Sequence, residues 1–133
     1  MRNRVLDPSI RGLRGGGEAA PKNRVAAPTT KSVRSLAHAG RYILTVHAER
    51  EREADKITTA ELEVALKKCD LIEDYPEDPR GHSCLALGFA DTRPVHVVCT
   101  IKDDPRELLL ITVYDPSLRP EKWDVGFRRR RKP

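Results

Sequence analysis

The run HAEREREADK brings together the first side chains in this sequence whose types and spacing suit chemistry. His47 and Glu51 stand four residues apart and Arg50 three from His47, so on a helix all three are neighbours. An imidazole beside a carboxylate can exchange protons, and a guanidinium next to them can hold an anion. Histidine is the side chain most easily tuned to do this near neutral pH. The same spacing also fits salt bridges along a solvated helix with His47 near its start. Spacing alone leaves the two readings level.

Two further residues extend the candidate set. His96 lies in the apolar run PVHVV and Tyr114 ends ELLLITVY. Cleavage of RNA without a metal needs a base for the 2′-hydroxyl, an acid for the leaving oxygen, and cations around the phosphorane. His47, Glu51, His96 and Tyr114 are the candidate acids and bases. Arg50, Arg52, Arg128, Arg129 and Arg130 are the candidate RNA-binding cations. A histidine inside an apolar strand is more often a satisfied core residue, which is the competing account of His96. His38 and His82 read as structural or surface residues. There is no HExxH or H-x-H spacing, so no metal or other cofactor is expected. P-loop, GxGxxG and G-x-S-x-G signatures are also missing, which disfavours nucleotide-binding and serine-hydrolase classes. Trp123 and Phe127 could stack on a base, although anchoring the C-terminal segment is the simpler use.

These residues need a scaffold. Tyr42, Leu44 and Val46 alternate with Ile43, Thr45 and His47, which reads as a short strand leading into a polar helix whose only small apolar residues are Ala48 and Ala54. A helix over 31–39 precedes it, stopped at Gly40 as a C′ glycine. Thr58 and Glu61 have capping-box spacing, and Leu62, Ala65, Leu66 and Cys69 give the next helix an apolar face. The period then changes to two. Strands over 71–75, 82–89, 94–101 and 107–114, separated by turn residues, predict an antiparallel meander. A turn at Asp91-Thr92 sets Leu87 against His96 and Cys84 against Cys99. A second turn about Asp104 sets His96 against Thr112. In that register Cys84, Ala86, Val95, Val97, Cys99, Leu109, Ile111 and Val113 share the helix-covered face, and His96, Thr112 and Tyr114 the other. The fold class expected is α+β, with two to three N-terminal helices on a three- to four-stranded antiparallel sheet.

Charge divides the chain into parts. Of 25 basic and 20 acidic residues, seven basic and two acidic ones lie in 1–31, and five basic ones in 128–132. Between them 13 basic face 18 acidic residues, a net −5. The domain expected is 31–127, flanked by a disordered basic tail over 1–30 and a basic C-terminal tail over 128–133. The start has no apolar h-region, so no secretory leader is expected. No apolar run approaches the roughly 20 residues of a membrane span. Cys69, Cys84 and Cys99 sit in apolar patterns without CxxC spacing, as expected of buried, reduced thiols in a cytoplasmic protein.

The blocks YILTVHAEREREADKIT, DYPEDPRGHSCLALGF, RPVHVVC and ITVYDP, with a tryptophan before an arginine-rich end, resemble the "domain of unknown function 4258" family of small bacterial proteins, over about 33–130. Many relatives carry HAxxRMxxR in the helix. Here Glu51 stands at the position of that arginine and Arg52 at that of the methionine. Such proteins resemble toxins of toxin–antitoxin pairs of the RelE/MqsR kind. The resemblance implies a RelE-like α+β fold and metal-independent cleavage of mRNA, ribosome-bound or free. It also implies a small, zinc-binding antitoxin as partner. The alternative expectation is a non-catalytic protein-binding or accessory module whose basic tails tether it to nucleic acid.

Overall fold

The apolar runs and breakers become three helices and a six-stranded mixed sheet in the computed structural model, which describes residues 4–6 and 27–132. In chain order these are β1 (Arg4–Leu6), α1 (Thr30–His38), β2 (Tyr42–Thr45), α2 (Val46–Ala54), α3 (Thr59–Lys67), β3 (Asp70–Tyr75), β4 (Ser83–Ala90), β5 (Arg93–Lys102) and β6 (Glu107–Tyr114). A 3₁₀ turn, Pro116–Leu118, follows. The sheet order is β1-β2-β6-β5-β4-β3.

The α+β class is as the sequence predicts, but the sheet is larger and mixed. β3 to β6 form the antiparallel meander, whereas β2 pairs in parallel with β6, and β1 in parallel with β2. The reason lies in β2: all four residues of YILT are buried, as befits a parallel strand covered on both sides. Most of the segment expected to be a disordered tail, residues 1–3 and 7–26, lies outside the described residues, and Arg4–Leu6 forms β1.

The β4–β5 hairpin has the expected register, with Leu87 against His96 and Cys84 against Cys99. The β5–β6 register differs. His96 faces Tyr114 and Val98 faces Thr112, while Cys99 faces Leu110, so Ile111 is an extra residue in a bulge. A bulge breaks the alternation of faces. Leu108 and Leu110 therefore pack with Val113 against the helices, and Leu109 and Ile111 lie in a separate cluster with Ile43 and Val98. The expected placement of Leu109 and Ile111 on the helix-covered face is thus corrected.

Each helix is stopped and started by its own residues. Thr29 and Thr58 head capping boxes with Ser32 and Glu61. At the end of α1, Gly40 takes φ 71°, its N–H donates to the Ala37 carbonyl, and the Arg41 N–H donates to that of Leu36. This is the Schellman pattern. Val33, Leu36 and Ala37 of α1 pack with Leu62, Ala65 and Leu66 of α3 on the small side chains Cys84, Ala86 and Cys99. The three cysteines are buried free thiols. Among the described residues no helix is long and apolar enough to cross a membrane.

α3 approaches the sheet most closely at Gly88, where a Cβ would sit 2.0 Å from the backbone oxygen of Ala65. Gly88→Ala is therefore expected to cost roughly 2 kcal/mol in chemical denaturation, an overpacking penalty. Gly126→Ala, with nothing within 4 Å of the added carbon, is expected to stay within about 0.5 kcal/mol of wild type.

Candidate functional site

β6 outlasts its parallel neighbour. β2 pairs with it only through Leu44 and Leu110, then turns into α2 at Thr45 without an intervening loop. On that side the backbone of β6 beyond Leu110 would be left without a strand partner, and such groups need satisfying when buried. Side chains of α2 take over. The Thr45 hydroxyl donates to the Ile111 carbonyl (3.1 Å) and also caps α2 by accepting from the Ala48 N–H (3.0 Å). Glu51 Oε1 accepts the Val113 N–H (3.0 Å), and Asp55 Oδ2 accepts the Asp115 N–H (2.9 Å). Glu51 and Asp55 are four apart and so fall on one helical face. This explains a helix in which Ala48 alone is buried: it docks through carboxylates.

The C-terminal end of α2 is held just as tightly. Lys56 takes φ 58° as a non-glycine C′ residue, with the Ile57 N–H donating to the Arg52 carbonyl. Arg52 pairs with Glu49 through two nitrogens and donates from its third to the Ile57 carbonyl (2.7 Å). Arg93, at the start of β5, donates to the carbonyls of Asp55 and Lys56, to Glu61 and to Asp115. Arg119 donates to Asp55 at 2.9 Å and stacks over the Tyr114 ring at 5.2 Å.

On the outer side of this docked face His47 Nε2 lies 3.3 Å from Glu51 Oε1, with the His47 side chain 62% exposed and that of Glu51 27%. Burial pushes the Glu51 carboxyl up from its ordinary value, outweighing the Val113 amide, His47 and Arg119, which act to lower it. For Asp55, burial is outweighed by the Arg119 and Asp115 hydrogen bonds, and its carboxyl is held low. Two carboxylates one turn apart are thus driven in opposite directions. Arg50 is exposed beside them and makes no ion pair among the described residues.

His96 sits on the opposite face of the sheet. It is fully buried. Its Nε2 lies 2.8 Å from the Phe127 carbonyl, to which it must donate, and its Nδ1 lies 3.1 Å from the Tyr114 hydroxyl, from which it accepts. The ring packs edge-on against Trp123 (4.4 Å) and Tyr114 (5.2 Å). Burial pushes its pKa down to about 4, so it is neutral at pH 7. His96 therefore clasps the C-terminal segment onto the sheet. Trp123 is buried there and Arg130 stacks on it at 4.7 Å while pairing with Glu73 through two nitrogens.

The structure brings His47 and Glu51 together and places Arg50 nearby. It brings His96 and Tyr114 together on the other face, linked to α2 through Arg119. Arg52 is absorbed by Glu49 and Ile57. Of the terminal arginines, Arg128 and Arg130 reach Asp70 and Glu73, and Arg129 has no side-chain partner among the described residues. Asp55, Arg93 and Arg119 are missing from the sequence reading. Asp55 alone carried a local signal, as the next carboxylate on the Glu51 face. Among the described residues no group of three or more His, Cys, Asp or Glu side chains could hold a metal ion.

The family model for the Domain of unknown function (DUF4258) matches residues 44–115, and the chain belongs to that family. The match runs from the end of β2 through β6, and α1 and the C-terminal clasp lie outside it. No curated protein and no solved structure matches the chain.

Removing the Asp55 carboxylate leaves the Asp115 amide without its acceptor and Arg119 without its carboxylate, so Asp55→Ala is expected to cost roughly 2 kcal/mol in urea titrations. For pH, His96 binds a proton near 6.5 when unfolded and only near 4 when folded. Its contribution is complete above pH 6.5 and declines as pH falls toward 4. Asp55, held low, adds to acid destabilisation below the ordinary carboxylate range. Glu51, pushed up, acts in the opposite sense, its contribution declining as pH rises through its folded value. The urea midpoint is expected to drop between pH 6.5 and 4.5, and His96→Gln to flatten that drop.

Proposed function

We propose that this DUF4258 protein is an endoribonuclease of the toxin kind, cleaving mRNA without a metal, with His47 and Glu51 as its acid–base pair. The observation that carries the reading is the exposed His47 imidazole 3.3 Å from a carboxylate that burial pushes up and the Val113 amide fixes in place. In this reading His47 takes the proton of the 2′-hydroxyl as that oxygen bonds to phosphorus, and the imidazolium returns it to the departing 5′-oxygen, leaving a 2′,3′-cyclic phosphate. Glu51 orients the imidazole and stabilises it once charged, and Arg50 holds the scissile phosphate. His96 and Tyr114 belong to the clasp behind the site and act by holding the sheet edge in place. The RelE-like resemblance adds a small, zinc-binding antitoxin as the partner that would mask the site in the cell.

One observation favours a second reading, a non-catalytic module that binds another protein. Arg34, Arg52, Arg93, Arg119, Arg128 and Arg130 all pair with carboxylates of the domain itself. These six guanidiniums are taken up by the fold rather than left to meet phosphates.

The two readings separate on expression without a partner. The endoribonuclease is expected to arrest bacterial growth and to cleave unstructured RNA in the presence of a chelator, and His47→Ala to lower the cleavage rate by about 10²-fold or more. Normal growth with abundant soluble wild-type protein, together with intact RNA in vitro, would favour the binding module and remove the nuclease.

A further inference from the structure

The arginine-rich end of the chain is a hairpin. The Asp124 N–H donates to the Arg129 carbonyl, the Arg131 N–H to the Lys122 carbonyl (both 2.9 Å), and the Phe127 N–H closes the turn on Asp124. Trp123 and Arg130 form an antiparallel bridge. Asp124 Oδ1 accepts the Arg128 and Arg129 N–H groups and braces the turn. Side chains alternate along each arm, so the Trp123–Arg130 pair faces the sheet and its neighbours face outward. The inward pair is accounted for: Trp123 is buried, and Arg130 stacks on it and pairs with Glu73.

The outward set is different. Lys122 and Arg131 lie directly opposite each other, an arrangement of like charges that destabilises a strand pair. Arg131 donates to the Pro120 carbonyl (2.7 Å), which holds its guanidinium without neutralising it. Arg129 is exposed, and like Lys122 its side chain makes no hydrogen bond or ion pair among the described residues. The hairpin thus fixes three cations on one side of a rigid support, spaced along the strand at roughly 6.6 Å per two residues. Asp124 shares this face opposite Arg129, with its Oδ1 taken by backbone N–H groups, and among the described residues no carboxylate forms an ion pair with any of the three cations, so the repulsion between Lys122 and Arg131 is not relieved by one.

From this we infer that the outward face of the 122–131 hairpin is a phosphate-backbone site for single-stranded RNA, with Lys122, Arg129 and Arg131 as its contacts. Arg128 and Arg130 fasten the hairpin to Asp70 and Glu73 on β3. The inference shares with the proposed function the choice of RNA as ligand and nothing else. Base stacking has no part in it, because Trp123 is buried under the hairpin.

The test is fluorescence anisotropy of a labelled, unstructured RNA 20-mer with the full chain over a range of salt, alongside thermal unfolding. The triple variant Lys122→Gln, Arg129→Gln, Arg131→Gln is expected to bind at least tenfold more weakly. Its log–log salt slope should fall by roughly 2, as three lost contacts to a single strand imply, and its melting temperature should be equal or higher. Arg130→Gln is expected to melt lower while keeping the wild-type salt slope. The basic residues of 1–31 are common to all these chains. Wild-type affinity and slope in the triple variant, or no RNA binding by wild type, would overturn the inference. Cleavage by wild type with unchanged affinity in the triple variant sinks the hairpin site and spares the nuclease. Hairpin-dependent binding without cleavage does the reverse.

Discussion

The fold depends on how a β-sheet edge is closed where its partner strand runs out. β2 is four residues long and fully buried, and it gives way to α2 while β6 still has Ile111 to Tyr114 to run. Thr45, Glu51 and Asp55 then make hydrogen bonds that a longer strand would have made. An unsatisfied buried amide costs about 1–3 kcal/mol, and here two are met by carboxylates, which bind more strongly than neutral acceptors. This constraint makes the helix polar, sets its angle to the sheet, and leaves His47 exposed on its far side. It also ties stability to the proposed chemistry, since Glu51 serves both.

The opposite face of the sheet is organised around a different group. His96 is a buried imidazole with a donor and an acceptor requirement, and the Phe127 carbonyl and Tyr114 hydroxyl meet both. Trp123 covers the ring and Arg130 covers Trp123, so a residue of β5 fixes the path of the chain some 30 positions later. Burial in this clasp favours the neutral form of His96. Arg119 joins this arrangement to the first, with its guanidinium shared between Asp55 and the Tyr114 ring.

Local features were readable from sequence wherever neighbouring residues decide the outcome. The Gly40 stop, the Thr58–Glu61 capping box and the β4–β5 register around Asp91 all depend on short-range geometry. The β5–β6 register was legible only up to the bulge. Nothing in LLLITVY marks Ile111 as the extra residue, because Leu108, Leu109, Leu110 and Ile111 are all apolar and show no alternation for a bulge to interrupt. The parallel pairing of β2 with β6 was hidden for another reason, since it joins distant segments and leaves no periodic trace beyond the short run YILT. For the site, the His47–Glu51 spacing was legible, but not that Glu51 binds a strand amide. A histidine in an apolar strand raised both a catalytic and a core account of His96. Two filled ring nitrogens and complete burial distinguish them. The arginine run read as a uniform basic tail, whereas its alternating roles appear only once Trp123 sets the hairpin's inward face.

The parallel β2–β6 ladder bears on how the chain reaches this structure. Tyr42 must find Leu108, with α2, α3 and the whole meander between them, so the contact is among the most expensive in loop entropy and belongs late on the folding path. Until it forms, α2 has no amides to bind and β6 is an open, strongly apolar edge strand, a template for pairing with other chains. A chain emerging from synthesis has β2 in hand long before β6 exists. Its solubility in that interval rests on the charges of α2, which keep the waiting segment in water until the last strand arrives.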